Sequence, residues 1–229
     1  LNEKNEVKAL QPTAEGYLYC MDHMLAGSED SRFEGHNLIF QDEIFNNAIN
    51  RMKRMYNSAI SENAEYSYRD ETHLFNEGKL AIYINGVWGA PMISKQIDAK
   101  YALLPTDGGE SMSCISSGLG YVLGNSGNEE KEKAAVKFLK YMLSKKVQTK
   151  ILEKTEQIPA NPDISLESYK ESKSRLYQAA TLVLETDEKI EVPNNIWSAE
   201  QKDYFIKTIF DVLTGTLSIQ EFEEGLENK

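Results

Sequence analysis

Phe75-Asn76-Glu77-Gly78-Lys79-Leu80-Ala81-Ile82-Tyr83-Ile84-Asn85-Gly86-Val87-Trp88 is the stretch on which the reading of this chain turns. Residues 80–85 have the β-branched and aromatic content of a buried strand, and Gly86 directly after them permits a turn. Trp88 therefore stands just beyond a strand end. Further on, residues 101–104 predict a short second strand ending at Pro105, and residues 119–123 predict a third. Between them the Gly- and Ser-rich run 106–117 reads as a crossing or loop rather than an element.

Helical periodicity surrounds these strands. Residues 41–62 carry Ile44, Phe45, Ala48, Ile49, Met52, Met55, Tyr56 and Ala59 at spacings of three and four, with Lys and Arg opposite. Residues 129–143 form a second helix, which Asn128 caps and the early acids Glu129 and Glu130 favour; its inner face is Ala134, Ala135, Phe138, Leu139 and Met142. Ser144 is placed to cap a short helix holding Val147, Ile151 and Leu152. Residues 166–184 are helical by pattern, Ser198-x-x-Gln201 opens a helix ended by Gly215, and Ser218-x-x-Glu221 opens the last one. Helices with a few strands between them predict an α/β fold whose strands are covered on both faces.

The chain has 229 residues, with 25 Lys+Arg against 36 Asp+Glu and a net charge of −11. That balance excludes nucleic-acid or anionic-membrane binding through overall charge. Hydrophobic content of 41% is enough to bury a core in one or two domains. No apolar run approaches the roughly 18–20 residues that span a bilayer. The polar start, Leu1-Asn2-Glu3-Lys4, carries no signal-peptide pattern and reads as a cut or processed end. Cys20 and Cys114 are too few for a disulfide framework; one long-range bridge or two isolated thiols both fit. His23, His36 and His73 form no metal-binding spacing, and no serine-hydrolase or phosphate-loop motif is present. Gly118-Leu119-Gly120 precedes the strand that a dinucleotide loop must follow.

The opening stretch closely resembles the signature of family 1 extracellular solute-binding proteins, the maltose-binding-protein type that serves ABC importers. The resemblance continues in order through Tyr101-Ala102-Leu103-Leu104-Pro105-Thr106, then Ser116-Ser117-Gly118-Leu119-Gly120-Tyr121-Val122-Leu123, the helix at 128–143, Gln157-Ile158-Pro159-Ala160 and Val192-Pro193-Asn194. It covers residues 41–229, and the ordered set is more specific than any one piece. In the family a complete first lobe precedes the part matched here. The resemblance thus implies a helix-rich α/β fold of the type II periplasmic-binding-protein kind, consisting of a second lobe plus the returning segment of the first. It divides the chain into 1–103, the first part of the second lobe, then 104–160, the hinge crossing and returning first-lobe segment, and 161–229, the helical C-terminal part of the second lobe.

The implied function is extracytoplasmic capture of a small solute, expected to be a carbohydrate, for the permease subunits of an ABC transporter, with no cofactor and no metal. The implied location is the periplasm or cell surface, with any lipid anchor carried by a segment ahead of residue 1. A sugar offers apolar C–H faces and hydroxyl groups, so its receptor needs aromatic plates and polar partners. Trp88 is the leading plate, against the alternative that it is interdomain core. Trp197 is either a second plate or a helix-packing residue, and Tyr17 or Tyr19 either faces the cleft or fills the core. Ser116 and Ser117, in the crossing turn, either approach ligand or serve only as turn residues. Asn85 either bonds a hydroxyl or closes its strand, while Glu15 and Asp22 are expected to be solvated surface carboxylates. A carbohydrate-active enzyme or accessory carbohydrate-binding domain remains the alternative class.

Overall fold

The computed structural model describes residues 8–10, 12–26, 43–59, 67–105, 112–115, 120–167, 170, 174–186 and 188–229. The described elements are β1 (Lys8–Leu10), α1 (Ala14–Ala26), α2 (Glu43–Ala59), α3 (Tyr68–Asn76), β2 (Leu80–Ile82), β3 (Met112–Ile115), α4 (Glu129–Met142), α5 (Lys145–Thr155), α6 (Arg175–Glu185), β4 (Glu188–Glu191), α7 (Ala199–Thr214) and α8 (Ile219–Glu227). Short 3₁₀ turns occupy Val87–Met92 and Pro193–Ile196. This is the expected helix-rich α/β architecture. Its strands form two parallel pairs, β1 with β2 (Lys8 opposite Leu80) and β3 with β4 (Met112 opposite Glu188).

The chain divides into two compact units. The first comprises Leu1–Asn85, Ile93–Ser116 and Glu185–Lys229; the second comprises Gly86–Met92 and Ser117–Leu184.

In the first unit the core is built on α1, which packs against α2, α7 and β3. Almost every residue of α1 is buried, from Ala14 through Tyr17 and Met21 to Ala26. A helix covered all round has no polar stripe, so it leaves no amphipathic signature in the sequence. Phe45, Ile49 and Met52 of α2 meet it through the predicted stripe. From α7 and α8 come Phe205, Ile209 and Phe222, with Phe45 and Phe222 stacked at 6.3 Å. Both predicted capping boxes form: Ser198 Oγ accepts from Gln201 N at 3.0 Å, and Ser218 Oγ accepts from Glu221 N at 3.2 Å. Gly215 closes α7 at φ +84°, a left-handed conformation that favours glycine.

Several sequence expectations are corrected. Strand β2 stops at Ile82 rather than running to Asn85, and it is not covered on both faces: Leu80 is buried while Ala81 and Ile82 are exposed. Residues 101–104 form no strand, and neither do residues 120–123; Leu119 lies outside the described residues. The Gly- and Ser-rich run instead contains β3, whose Met112 and Ser113 are buried where α1 packs on it. A four-residue strand, Met-Ser-Cys-Ile, set inside a Gly- and Ser-rich run is hidden from composition. α3 has polar residues, Glu71 and Thr72, on its buried side, so a search for apolar periodicity passes over it.

The second unit is built differently. Asn128 caps α4 as predicted, its Oδ1 accepting from Lys131 N at 3.1 Å. The predicted inner face is not enclosed, because no residue of α4 is buried. Ser144 precedes α5 but does not cap it; its hydroxyl donates back to Tyr141 O at 2.6 Å. Gln148 ties the unit together, its Nε2 donating to Met142 O at 3.0 Å and its Oε1 accepting from Ala160 N at 3.0 Å.

Candidate functional site

Within the second unit, Gly89 N donates to Gly86 O at 2.9 Å, closing the first turn of Val87–Met92. A Cβ on Gly86 would lie 2.1, 2.2 and 2.5 Å from Cζ3, Cη2 and Cε3 of Trp88. The six-membered ring of the indole therefore lies directly over the glycine backbone, an approach that a side chain would forbid. Trp88 nonetheless keeps 51% of its surface exposed. The turn thus presents a large apolar plate held close to its own backbone.

Asn85 belongs to the first unit, where its side chain is an internal tie. Its Nδ2 donates to Tyr68 Oη at 2.8 Å and also to Tyr83 Oη. Thr72 donates its hydroxyl proton to Tyr68 O at 2.9 Å, so across the 2.8 Å contact between Tyr83 and Thr72 the phenol is the donor. Burial raises the Tyr83 phenol above its ordinary value, and the ring stays neutral. Both amide hydrogens of Asn85 are thus directed at phenols, and the side chain serves as a structural tie.

Trp197 is placed in the core rather than on a groove wall. It is 5% exposed and its ring centroid lies 5.7 Å from that of Phe205. The cause is a long-range polar clamp. Asp22 of α1 accepts from Asn194 N at 2.8 Å and from the Asn194 side-chain amide, which fixes the Pro193–Ile196 turn and directs the following indole inward. Asp22 is accordingly not a solvated carboxylate: burial pushes its carboxyl up to about 6, with the Asn194 bonds and Lys202 pulling the other way. Glu15 is half-buried.

Tyr17 is fully buried, edge-on to Phe210 at 5.9 Å, and is a core residue as well. Its hydroxyl has no hydrogen-bond partner, and neither has Oε1 of the neighbouring Glu71. Glu71 is 1% exposed, and burial pushes its carboxyl up to about 8 despite hydrogen bonds from Thr13. Tyr19 is half-buried, its phenol raised by burial. Ser116 and Ser117 lie outside the described residues.

Both cysteines are free, and burial pushes each thiol up to about 12, so neither is a nucleophile near neutral pH. His23 Nδ1 lies 3.9 Å from Cys114 Sγ. Among the described residues no three His, Cys, Asp or Glu side chains converge as metal donors, and no helix is long and apolar enough to cross a membrane.

Sequence reasoning missed the carboxyl end of β4. Ligands of open α/β sheets collect at such ends. There Asn195 Nδ2 donates to Glu191 Oε1 at 2.9 Å beside the exposed Ile196. Strand β4 is Glu-Lys-Ile-Glu, a charged tetrapeptide without strand-like content, and an unread strand leaves its end unread.

Two solved structures share this fold. A Streptococcus pneumoniae solute-binding protein in complex with the blood group A-trisaccharide superposes with a TM-score of 0.83 at 22% identity, covering 99% of this chain and 59% of its own. An ABC transporter solute-binding protein from Thermotoga lettingae TMO, bound with alpha-D-tagatose, gives a TM-score of 0.67 at 19% identity, covering 98% of this chain and 59% of its own. This chain thus spans under two thirds of each. No curated protein matches the sequence. The family model for bacterial extracellular solute-binding proteins matches residues 12–180, well over half of the chain. With the fold in agreement, the chain belongs to the bacterial extracellular solute-binding protein family.

Proposed function

We propose that the chain is the sugar-recognising part of an extracytoplasmic receptor that delivers its solute intact to the permease of an ABC importer. The observation that carries this reading is Trp88, a half-exposed indole laid over Gly86 on a short turn. A saccharide needs a flat apolar surface for its C–H face. A ring already held close to backbone loses little freedom when a ligand covers it, so more of the burial energy appears as affinity. The bound sugars of the two solved relatives agree in ligand class.

Trp197 and Tyr17 act in this reading as supports. They fill the core under α1 and α7, while Asn85 holds the end of the segment leading into the Trp88 turn. Delivery is a population shift: a ligand with higher affinity for the closed receptor raises the fraction of the form the importer recognises.

Calorimetric titration with blood group A trisaccharide, tagatose and maltotriose tests the reading. At least one sugar binds, Trp88→Ala weakens it roughly tenfold to a hundredfold, about 1–3 kcal/mol, and the sugar is recovered uncleaved. Unchanged affinity in the variant overturns the role of Trp88. New reducing ends would assign the chain to carbohydrate-active enzymes instead.

A further inference from the structure

The charges of this chain are divided unequally between its two units. The second unit holds 11 Lys+Arg against 8 Asp+Glu, so 11 − 8 gives +3, and the first unit carries −11 − 3 = −14. The positive charge is concentrated further: residues 133–152 contain six lysines and neither Asp nor Glu. Lys133, Lys137 and Lys140 stand at i, i+4 and i+7 on α4, and Lys146, Lys150 and Lys154 at i, i+4 and i+8 on α5, so each helix carries one lysine stripe. All six are exposed, as is Lys145. Among the described residues Lys133 has an ion pair, with Glu129 at 2.6 Å, and the others have none.

Such stripes work against the helices that carry them. Like charges one turn apart repel, whereas α7 shows the stabilising pattern, with Lys207 bonded to Asp203 at 2.6 Å. Lys145 and Lys146 also occupy the first turn of α5, at the positive end of the helix dipole, with no acid in that turn and no side-chain cap from Ser144. Solvation alone calls for neither feature. An anionic partner relieves both at once, since it neutralises the stripes and meets the dipole.

The side chains say what kind of anion fits. Residues 131–154 hold eight lysines and no arginine. Lysine is a compact hydrated point charge without the planar fork that grips a single carboxylate or phosphate, so rows of it suit a field of anions rather than one bound ion. The rows run about 10 Å along α4 and about 12 Å along α5 at 1.5 Å per residue. The two helices pack on each other and are joined by Leu143 and Ser144 alone. A linear polyanion follows one row; two rows on packed neighbours call for anions spread over a plane. We propose that the lysine stripes of α4 and α5 form an adsorption surface for a bilayer containing anionic phospholipid, whose phosphodiester headgroups meet Lys140, Lys145 and Lys146 where the helices join. The whole-chain charge of −11 opposes attraction at long range, so the contact is local: at physiological salt, charges farther than about 8 Å are largely screened. This inference rests on charge placement, not on the sugar reading, and either can fail without the other.

The test is sedimentation of the full 229-residue chain with vesicles of phosphatidylcholine alone and of phosphatidylcholine with an equal part of phosphatidylglycerol. The expected result is binding to the anionic vesicles at least tenfold tighter than to the neutral ones at about 0.1 M salt, falling at least tenfold at about 0.5 M. The triple variant Lys140→Gln, Lys146→Gln, Lys150→Gln lowers it at least tenfold. Removing the same charge from the first unit, by Lys79→Gln, Lys100→Gln and Lys207→Gln, leaves it within about twofold. All six substituted side chains are exposed, so the thermal unfolding midpoint of each triple variant stays within a few degrees of the parent. Absence of binding to the anionic vesicles, equal binding to both kinds, unchanged binding in the α4 and α5 variant, or equal loss in both variants overturns the proposal. Capture of soluble heparin through these lysines without vesicle binding also overturns it, by assigning the stripes to a soluble polyanion.

Discussion

The two tryptophans of this chain occupy opposite environments. Trp197 is 5% exposed, set against Phe205 in a core that α1, α2, α7 and α8 enclose. Trp88 is 51% exposed, supported by a glycine backbone on a six-residue turn. One indole contributes its apolar surface to folding; the other keeps that surface for something still to come. A large apolar ring is informative when it is exposed and held in place, since leaving it solvated forgoes about 1.5–3 kcal/mol of burial.

Substitution should separate the two rings cleanly. Trp197→Ala leaves a cavity between α1 and α7 and should destabilise the protein by about 3–5 kcal/mol in denaturant unfolding. Equal stability would break the comparison at its buried end. Also in that core, Glu71 gives a pH signature. Its folded carboxyl titrates at about 8 against an ordinary 4.5, so the folded state holds the extra proton between those values. Stability therefore falls as pH rises through that window. Glu71→Gln should remove that dependence and leave the variant more stable than the parent above pH 8, on the order of a few kcal/mol. Persistence of the parent's pH dependence in the variant would contradict the buried, neutral carboxyl.

At the exposed end, Trp88→Ala should shift the unfolding free energy by less than about 0.5 kcal/mol while costing about 1–3 kcal/mol of sugar binding. Gly86→Ala sharpens the point, because a Cβ there would sit 2.1 Å from the indole and must displace it. Roughly a tenfold loss of affinity with Trp88 still present would show that ring placement matters, and unchanged affinity would show that it does not. The smallest effect belongs to Ser198, which caps α7 one residue after Trp197; Ser198→Ala should cost about 1 kcal/mol of stability and nothing in binding.

What could be read from the sequence follows from how local each cause is. α2, α7 and α8 depend on spacing and on caps within four residues, so their signals were complete in the sequence. α1 and β3 are legible only together: most of the helix is buried, and the four-residue strand packs against it with Met112 and Ser113 buried. The turn at Trp88 was readable because a glycine two residues before it permits one, but the close approach of the indole to the Gly86 backbone was not. Trp197 was not, since its inward direction is set by Asp22 bonding Asn194 across 172 residues. Asn85 was legible as a polar residue at the strand end, but its phenol partners Tyr68 and Tyr83 were not, because α3 carried no apolar periodicity to reveal it.

The central claim is that Trp88 is the surface a sugar covers. Trp197→Phe leaves Trp88 as the sole indole of the chain, so fluorescence of that variant during titration with blood group A trisaccharide, tagatose and maltotriose reports on this ring alone. The account predicts a saturable change in emission, with a blue shift as water leaves the exposed face, at the same sugar concentration that produces half the calorimetric heat. Emission that stays constant through saturation, or for every sugar, would contradict it.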